Sequence, residues 1–351
     1  MKIEKVKKKI LLLCFCIITV VGTVISQSVE AVTKVSITVS NLERSLDFYT
    51  KVLPFEKVRT YTLSGKSVQR LYGIRDSELS VEVALLRLGE EYVELMEFNS
   101  TKLKGRNIPL DSRSNDLWFQ HIAIVVSDME KAYEQLAKHQ VVHVSTAPQT
   151  LPDYIPAAAG IAAFYFQDPD KHNLEIIYFP KGKGNPKWQN KEEKIFLGID
   201  HTAIGIDQTE ESLAFYQDLL HLKVAGNSEN YGSEQEHLNQ VFGARLLITG
   251  LQAKSGFGVE FLDYISPPGG RAYPKDSEVT DYWHWHTSLK VSDVKSYYND
   301  LLEANYEMIS SGLVSLDKNM IGTENKINTS SFKQQGFLVR GPDGHAIFIY
   351  Q

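Results

Sequence analysis

Gly105-Arg106-x-x-Pro109-x-Asp111-Ser112-x-x-x-Asp116-x-Trp118-x-x-His121 recurs as Gly270-Arg271-x-x-Pro274-x-Asp276-Ser277-x-x-x-Asp281-x-Trp283-x-x-His286. Eight identities in seventeen ungapped positions mark an internal duplication. Each copy runs into an alternating apolar strand, His121-Ile-Ala-Ile-Val-Val-Ser-Asp and His286-Thr-Ser-Leu-Lys-Val-Ser-Asp. Each half then closes on a turn between two strands, Phe164-Tyr-Phe-Gln-Asp-Pro-Asp and Phe337-Leu-Val-Arg-Gly-Pro-Asp. Upstream of each copy, Ser45-Leu46-Asp47-Phe48-Tyr49 aligns with Ser212-Leu213-Ala214-Phe215-Tyr216 at an offset of 167. These helical segments follow the strands that begin at Lys34 and His201, and Tyr92–Phe98 matches Gly258–Tyr264 further on. The chain therefore reads as four strand–helix–strands units over about 32–98, 118–180, 197–264 and 283–350. In halves, this is a first domain at 32–180, a Lys-, Gly- and Asn-rich linker at 181–196 and a second domain at 197–351.

Residues 1–31 stand apart from the repeats. Five Lys precede an uncharged stretch from Ile10 to Ile25, and small residues lead to a candidate cut after Ala31. This is the pattern of an export signal, or of an N-terminal anchor if the segment is retained. Either reading places residues 32–351 outside the cytoplasm, in a periplasm, secreted or tethered to a membrane through residues 10–25. Both cysteines, Cys14 and Cys16, lie in this segment, so the remainder is free of thiols and any metal site must use His, Asp or Glu. The formal charge of −6 for the whole chain becomes −9 without the segment. That balance argues against nucleic acid as a partner, and 43% hydrophobic residues with 11% aromatics exclude a disordered chain. The expected partner is a small-molecule substrate, and the expected assembly a monomer or homodimer.

Four βαβββ units, a His-x-Ala-Ile-x-Val-Ser-Asp opening strand at 121–128 and a closing Asp168-Pro-Asp-x-His172-x-x-Glu175 hairpin resemble the vicinal oxygen chelate superfamily. That superfamily includes glyoxalase I, bleomycin-resistance proteins and extradiol dioxygenases. The resemblance implies an α+β fold in which units pair into two cupped mixed sheets. It also implies that each unit offers one inward ligand on its first strand and one on its last. Those positions are Lys34 and Glu94, His121 and Glu175, His201 and Glu260, and His286 and Phe348. Lys34 and Phe348 are unfit to bind a metal. Paired in sequence order, both cups lose a ligand. Paired crosswise, units two and three keep a complete His121, Glu175, His201, Glu260 set, and the losses gather in the other cup. One abandoned cup requires one lapse of selection, so the crossed arrangement is expected.

Two imidazoles and two carboxylates suit one divalent ion such as Zn, Ni, Mn, Co or Fe. By resemblance to glyoxalase I, Glu175 is the expected catalytic base. The function implied is an exported, metal-dependent isomerase, epimerase or lyase acting through an enolate-type intermediate. The alternatives are a metal-free protein that sequesters a small molecule, and an extradiol dioxygenase, whose ligand set fails at Phe348. His172 and His345 are expected to orient their turns, His284 to pack among aromatics, and Arg106 and Arg271 to make structural ion pairs.

Overall fold

The alternating runs become strands in the computed structural model, which describes residues 27–190, 194–268, 270–316, 320 and 334–351. The first unit comprises β1 (Val29–Thr38), α1 (Leu42–Asp47), β2 (Glu56–Ser64), α2 (Lys66–Leu71), β3 (Ser80–Leu88) and β4 (Glu91–Asn99). The second comprises β5 (Gln120–Val126), α3 (Met129–Lys138), the short β6 (Val142–His143) and β7 (Gln149–Thr150), β8 (Ala162–Gln167) and β9 (Asn173–Tyr178). The third comprises β10 (Phe196–Ile206), α4 (Thr209–Leu213), β11 (Lys223–Tyr231), α5 (Ser233–Asn239), β12 (Arg245–Gln252), β13 (Ser255–Gly256) and β14 (Gly258–Ser266). The fourth comprises β15 (Trp285–Val291), α6 (Val294–Glu303), β16 (Val314–Ser315), β17 (Gln335–Arg340) and β18 (Ala346–Tyr350). Helices α2 and α5 are additions to the expected βαβββ pattern in the first and third units.

The repeated Ser-Asp pairs end the opening strands and start helices. Asp128 accepts a hydrogen bond from the Lys131 amide at 3.1 Å, and Asp293 does the same for Ser296, so each fills the N-cap role. The expected leader falls mostly on residues 1–26, which lie outside the described residues. Its last residues belong to the folded unit: β1 begins at Val29, whose side chain is buried and whose backbone pairs with Val291. Among the described residues no helix is long and apolar enough to cross a membrane.

Two mixed sheets form, with strand orders β16-β17-β18-β15-β1-β4-β3-β2 and β11-β12-β14-β10-β5-β9-β8-β6. The fold is thus the α+β arrangement of cupped sheets, and the units pair crosswise: four with one, and three with two. Each sheet is joined at its centre by the opening strands of its two units, running antiparallel. Strand alternation divides the side chains between two faces. Ile122, Ile124 and Val126 of β5 enter a core shared by both halves, while His121, Ala123 and Val125 face the cup.

The duplicated Gly-Arg segments clasp the halves together. Arg106 donates to both oxygens of buried Asp281, at 2.9 and 2.8 Å, and stacks over Trp283. Arg271 repeats these contacts on Asp116 and Trp118. The glycines are required by close approach: a Cβ on Gly270 would lie 1.5 Å from the Asn115 carbonyl oxygen, and one on Gly105 would lie 2.2 Å from that of Thr280. The turn histidines latch across the same boundary. His172 bridges Asp168 and the Tyr282 carbonyl, and His345 reaches the Gly205 carbonyl at 2.8 Å.

The cup built by units one and four is filled. Lys34 Nζ lies 2.5 Å from Glu94 Oε1, and Ser36 and Tyr61 donate to the same carboxylate at 2.8 and 2.5 Å. Burial presses the Lys34 ammonium below its usual range despite Glu94 beside it. Burial alone would raise Glu94, but the Lys34 charge holds it below the ordinary carboxylate range. His286 is buried against Phe348, and desolvation pushes its imidazole down to about 3, so it is neutral. His284 is fully buried beside His286 rather than in a ligand set. Replacing Lys34 with Met leaves Glu94 as an unpaired buried charge and is expected to cost about 3–5 kcal/mol, whereas Lys34→Met with Glu94→Gln should recover most of that loss. Urea denaturation of both variants checks this; a Lys34→Met protein as stable as the parent would show that the pair carries no such constraint.

Candidate functional site

The second cup is organised by the antiparallel pairing of β5 with β10. His121 lies opposite Ala203, and His201 lies opposite Ala123, so the two histidines sit diagonally across the central seam. The closing strands run parallel beside them, with Glu175 of β9 next to Ala123 and Glu260 of β14 next to Ala203. Two alanines at the centre of this square keep its floor low and let four longer side chains converge above it.

Three of the four residues expected from the sequence converge here, and Glu260 reaches the group through His201. Glu175 Oε2 is 3.0 Å from His121 Nε2 and 3.7 Å from His201 Nε2. Glu260 Oε1 is 3.6 Å from His201 Nε2. One donor atom each from His121, Glu175 and His201 falls within a 4.8 Å group. His121, Glu175 and His201 are buried, and the Glu260 side chain is a quarter exposed, facing the open side of the cup. Lys34, Glu94, His286 and Phe348, the equivalent positions of the other units, make up the filled cup instead.

Asp200 is a residue of the candidate site that the sequence reading missed. Neighbouring strand residues normally face opposite sides, but β10 carries an irregularity between Ile199 and His201. The Asp200 carboxylate therefore reaches its own neighbour, with Oδ2 3.0 Å from His201 Nδ1. Trp188, in a short 3₁₀ turn at Pro186–Gln189 within the expected linker, donates to Asp200 Oδ1 at 2.5 Å. With Nδ1–H engaged by Asp200, His201 turns Nε2 into the cup. That nitrogen is buried and has no hydrogen-bond partner, and the same holds for both ring nitrogens of His121. A carboxylate behind an imidazole whose other nitrogen is unpartnered is the usual support of a metal-ligating histidine. The donor set and its orphaned nitrogens therefore fit a divalent ion. The Asp-His dipeptide was visible in the sequence; the strand irregularity that turns it to account was not.

The carboxylates favour positive charge in this cup, and without an ion His201 carries it as a proton that a bound cation would displace. Burial opposes charge on His201, yet Glu260, Asp200 and Glu175 together outweigh it and push the imidazole up to about 10. Glu260 is raised by burial, partly offset by His201. Tyr165, across from Glu175 and 4.9 Å from the His121 ring, is pushed up by burial and by Glu175, and so is a neutral phenol. The cluster is an electronegative hollow that attracts a cation. It opens on a cavity of about 400 Å³, one side of which is formed by Ile161, Ile177 and Phe179.

The comparisons with known proteins agree with this architecture. A family model described as Glyoxalase/Bleomycin resistance protein/Dioxygenase superfamily matches residues 31–176 and 198–348. A 2-epi-5-epi-valiolone epimerase from an Actinomyces species is 32% identical over 171 residues, which is 47% of this chain and 87% of that protein. Glyoxalase I from Zea mays superposes with a TM-score of 0.57 at 14% identity, over 93% of this chain and 92% of its own. A putative dioxygenase from Bacillus subtilis gives 0.52 at 11% identity, over 93% and 86%. At such identities these two structures speak for the fold alone. With two matched segments, four repeated units and two crosswise cups, the chain belongs to the glyoxalase/bleomycin resistance protein/dioxygenase superfamily.

Proposed function

We propose that the chain is a metal-dependent, exported enzyme of the isomerase or epimerase type, which moves a proton on a carbon next to a carbonyl. The observation that carries this reading is the convergence of His121, Glu175 and His201 within 4.8 Å, with His201 Nε2 buried and without a hydrogen-bond partner. The ligands in this reading are His121, Glu175, His201 and Glu260, and the ion is Zn, Ni, Mn, Co or Fe. A bound ion of this kind polarises the substrate oxygen and makes the neighbouring C–H more acidic.

The protein's own groups do the rest. Glu175 takes the proton, as its carboxylate borders both imidazoles. Glu260 approaches the same nitrogen of His201 at 3.6 Å, so a second carboxylate stands ready to return a proton to the carbon. Tyr165 stays neutral and walls the far side of His121 and Glu175. Ile161, Ile177 and Phe179 hold the carbon frame and exclude water. The epimerase relative favours this class of reaction over ring cleavage. Export rests on the Lys-rich, apolar stretch at 1–25 and on the absence of cysteine after Cys16. A cut upstream of Val29 would keep its pairing with Val291 in β1.

Elemental analysis of the purified protein is expected to find about one divalent ion per chain, because the other cup is closed by Lys34 and Glu94. Two ions would contradict that assignment, and none in a folded protein would favour a sequestering protein. Glu175→Gln is expected to slow deuterium exchange at the substrate α-carbon by about a hundredfold or more while the fold persists; an unchanged rate would remove Glu175 as base. Asp200→Asn is expected to weaken ion binding by about ten- to a hundredfold, read by competition with a chelator, since the amide no longer favours the Nδ1–H tautomer of His201.

A further inference from the structure

The wall of the cavity opposite Ile177 and Phe179 is polar in an organised way. Ser228 donates to Asn230 Oδ1 at 2.6 Å, Asn230 Nδ2 to Gln235 Oε1 at 3.0 Å, and Gln235 Nε2 to Asn239 Oδ1 at 2.5 Å. The chain ends where Asn239 donates to the Tyr264 hydroxyl. Asn230, Gln235 and Asn239 are 3%, 1% and 1% exposed, and the first two line the cavity with Ser228 and Asn227. Each amide nitrogen carries two hydrogens and donates one within this chain, which leaves Asn230 and Gln235 an N–H apiece.

The duplication shows that the fold does not demand these amides. At the offset of 167, Asn230, Gln235 and Asn239 correspond to Leu63, Val68 and Tyr72. Those three belong to the apolar core that fills the closed cup. The glycines before the two helices, Gly65 and Gly232, keep the same register and the same positive φ, at 88° and 96°. One position in one fold thus holds leucine and valine where the cup is closed, and buried amides where it is open. Burying amides in place of leucine, valine and tyrosine is unfavourable for folding unless their donors and acceptors are used.

Charge narrows the ligand further. Glu175, Glu260 and Asp200 line the cavity, and among the described residues no Lys or Arg does. Among the described residues nearby, Lys187 pairs with Glu91 at 2.5 Å in the adjoining cleft, Arg245 pairs with Glu229 at the rim, and Lys183 donates to the Pro156 and Ala157 carbonyls. A phosphate or carboxylate would meet three acids and no Lys or Arg among the described lining residues. Resting on the proton-transfer reading of the metal cup, we infer that the substrate is a neutral, polyhydroxylated keto compound of single-ring size. Its hydroxyls pair with Asn230 and Gln235, while its carbonyl faces His121 and His201.

Calorimetric titration of the full chain, with and without added Zn²⁺, tests this with three probes: scyllo-inosose, its monophosphate and cyclohexanone. The inosose is expected to bind about tenfold or more tighter than either of the others. Gln235→Met should lower inosose affinity about tenfold and leave cyclohexanone unchanged. Equal or tighter binding of the phosphate, or cyclohexanone matching the inosose, overturns the inference; should Gln235→Met fail to fold, the selectivity of the unaltered protein decides. Zn²⁺ binding without polyol selectivity defeats this inference alone. Polyol selectivity without Zn²⁺ binding defeats the metal reading alone.

Discussion

Everything in the functional cup depends on one backbone contact, the antiparallel pairing of β5 with β10. Neither strand carries a site alone, since each contributes a single histidine. Pairing brings His121 opposite Ala203 and His201 opposite Ala123, and the parallel closing strands then deliver Glu175 and Glu260 beside those alanines. A slip of one residue would turn both histidines into the shared core and bring isoleucines into the cup. The register is therefore enforced from both faces: by Ile122, Ile124, Ile204 and Ile206 on one side, and by the converging polar groups on the other.

The same geometry, duplicated, ended in two chemical outcomes. In the cup of units one and four, Lys34 stands where His201 stands in the other, and its ammonium meets Glu94 at 2.5 Å. A covalently attached cation satisfies the buried carboxylate there, and Tyr61 and Ser36 complete its hydrogen bonding. Phe348 occupies the place of Glu175, and Leu63, Val68 and Tyr72 fill the wall. In the other cup the carboxylates face imidazoles, and among the described residues no Lys stands between them. The closed cup gives up chemistry for packing, while the open one keeps unpartnered nitrogens and buried amides that packing alone would not retain.

Second-order support comes from segments that look like connectors. The 3₁₀ turn at Pro186–Gln189 places Trp188 on Asp200, and Lys187 beside it reaches Glu91 in the other sheet. The linker thus holds the imidazole orientation and ties the two cups together. Likewise α5, absent from the expected unit pattern, supplies Gln235 and Asn239. Loops and short helices of this kind carry no hydrophobic period that would reveal their role, because their side chains act through contacts made across the fold.

By itself, the sequence determined the four units, the equivalence of their strand positions and the unfitness of Lys34 and Phe348 among the eight candidate ligand positions. Repeat spacing and strand alternation are local and periodic, so they survive in the order of residues. The Arg106 and Arg271 clasp was legible for the same reason, as a repeated motif rich in paired charges. Only the tertiary structure decided that the units join crosswise, since strand pairing between halves leaves no periodic trace. It alone turned Asp200 onto His201, through a strand irregularity that composition does not announce. The contrast between buried amides and buried aliphatics at equivalent positions was written in the chain, yet it acquired meaning only once both sets were seen to line the same wall of two cups.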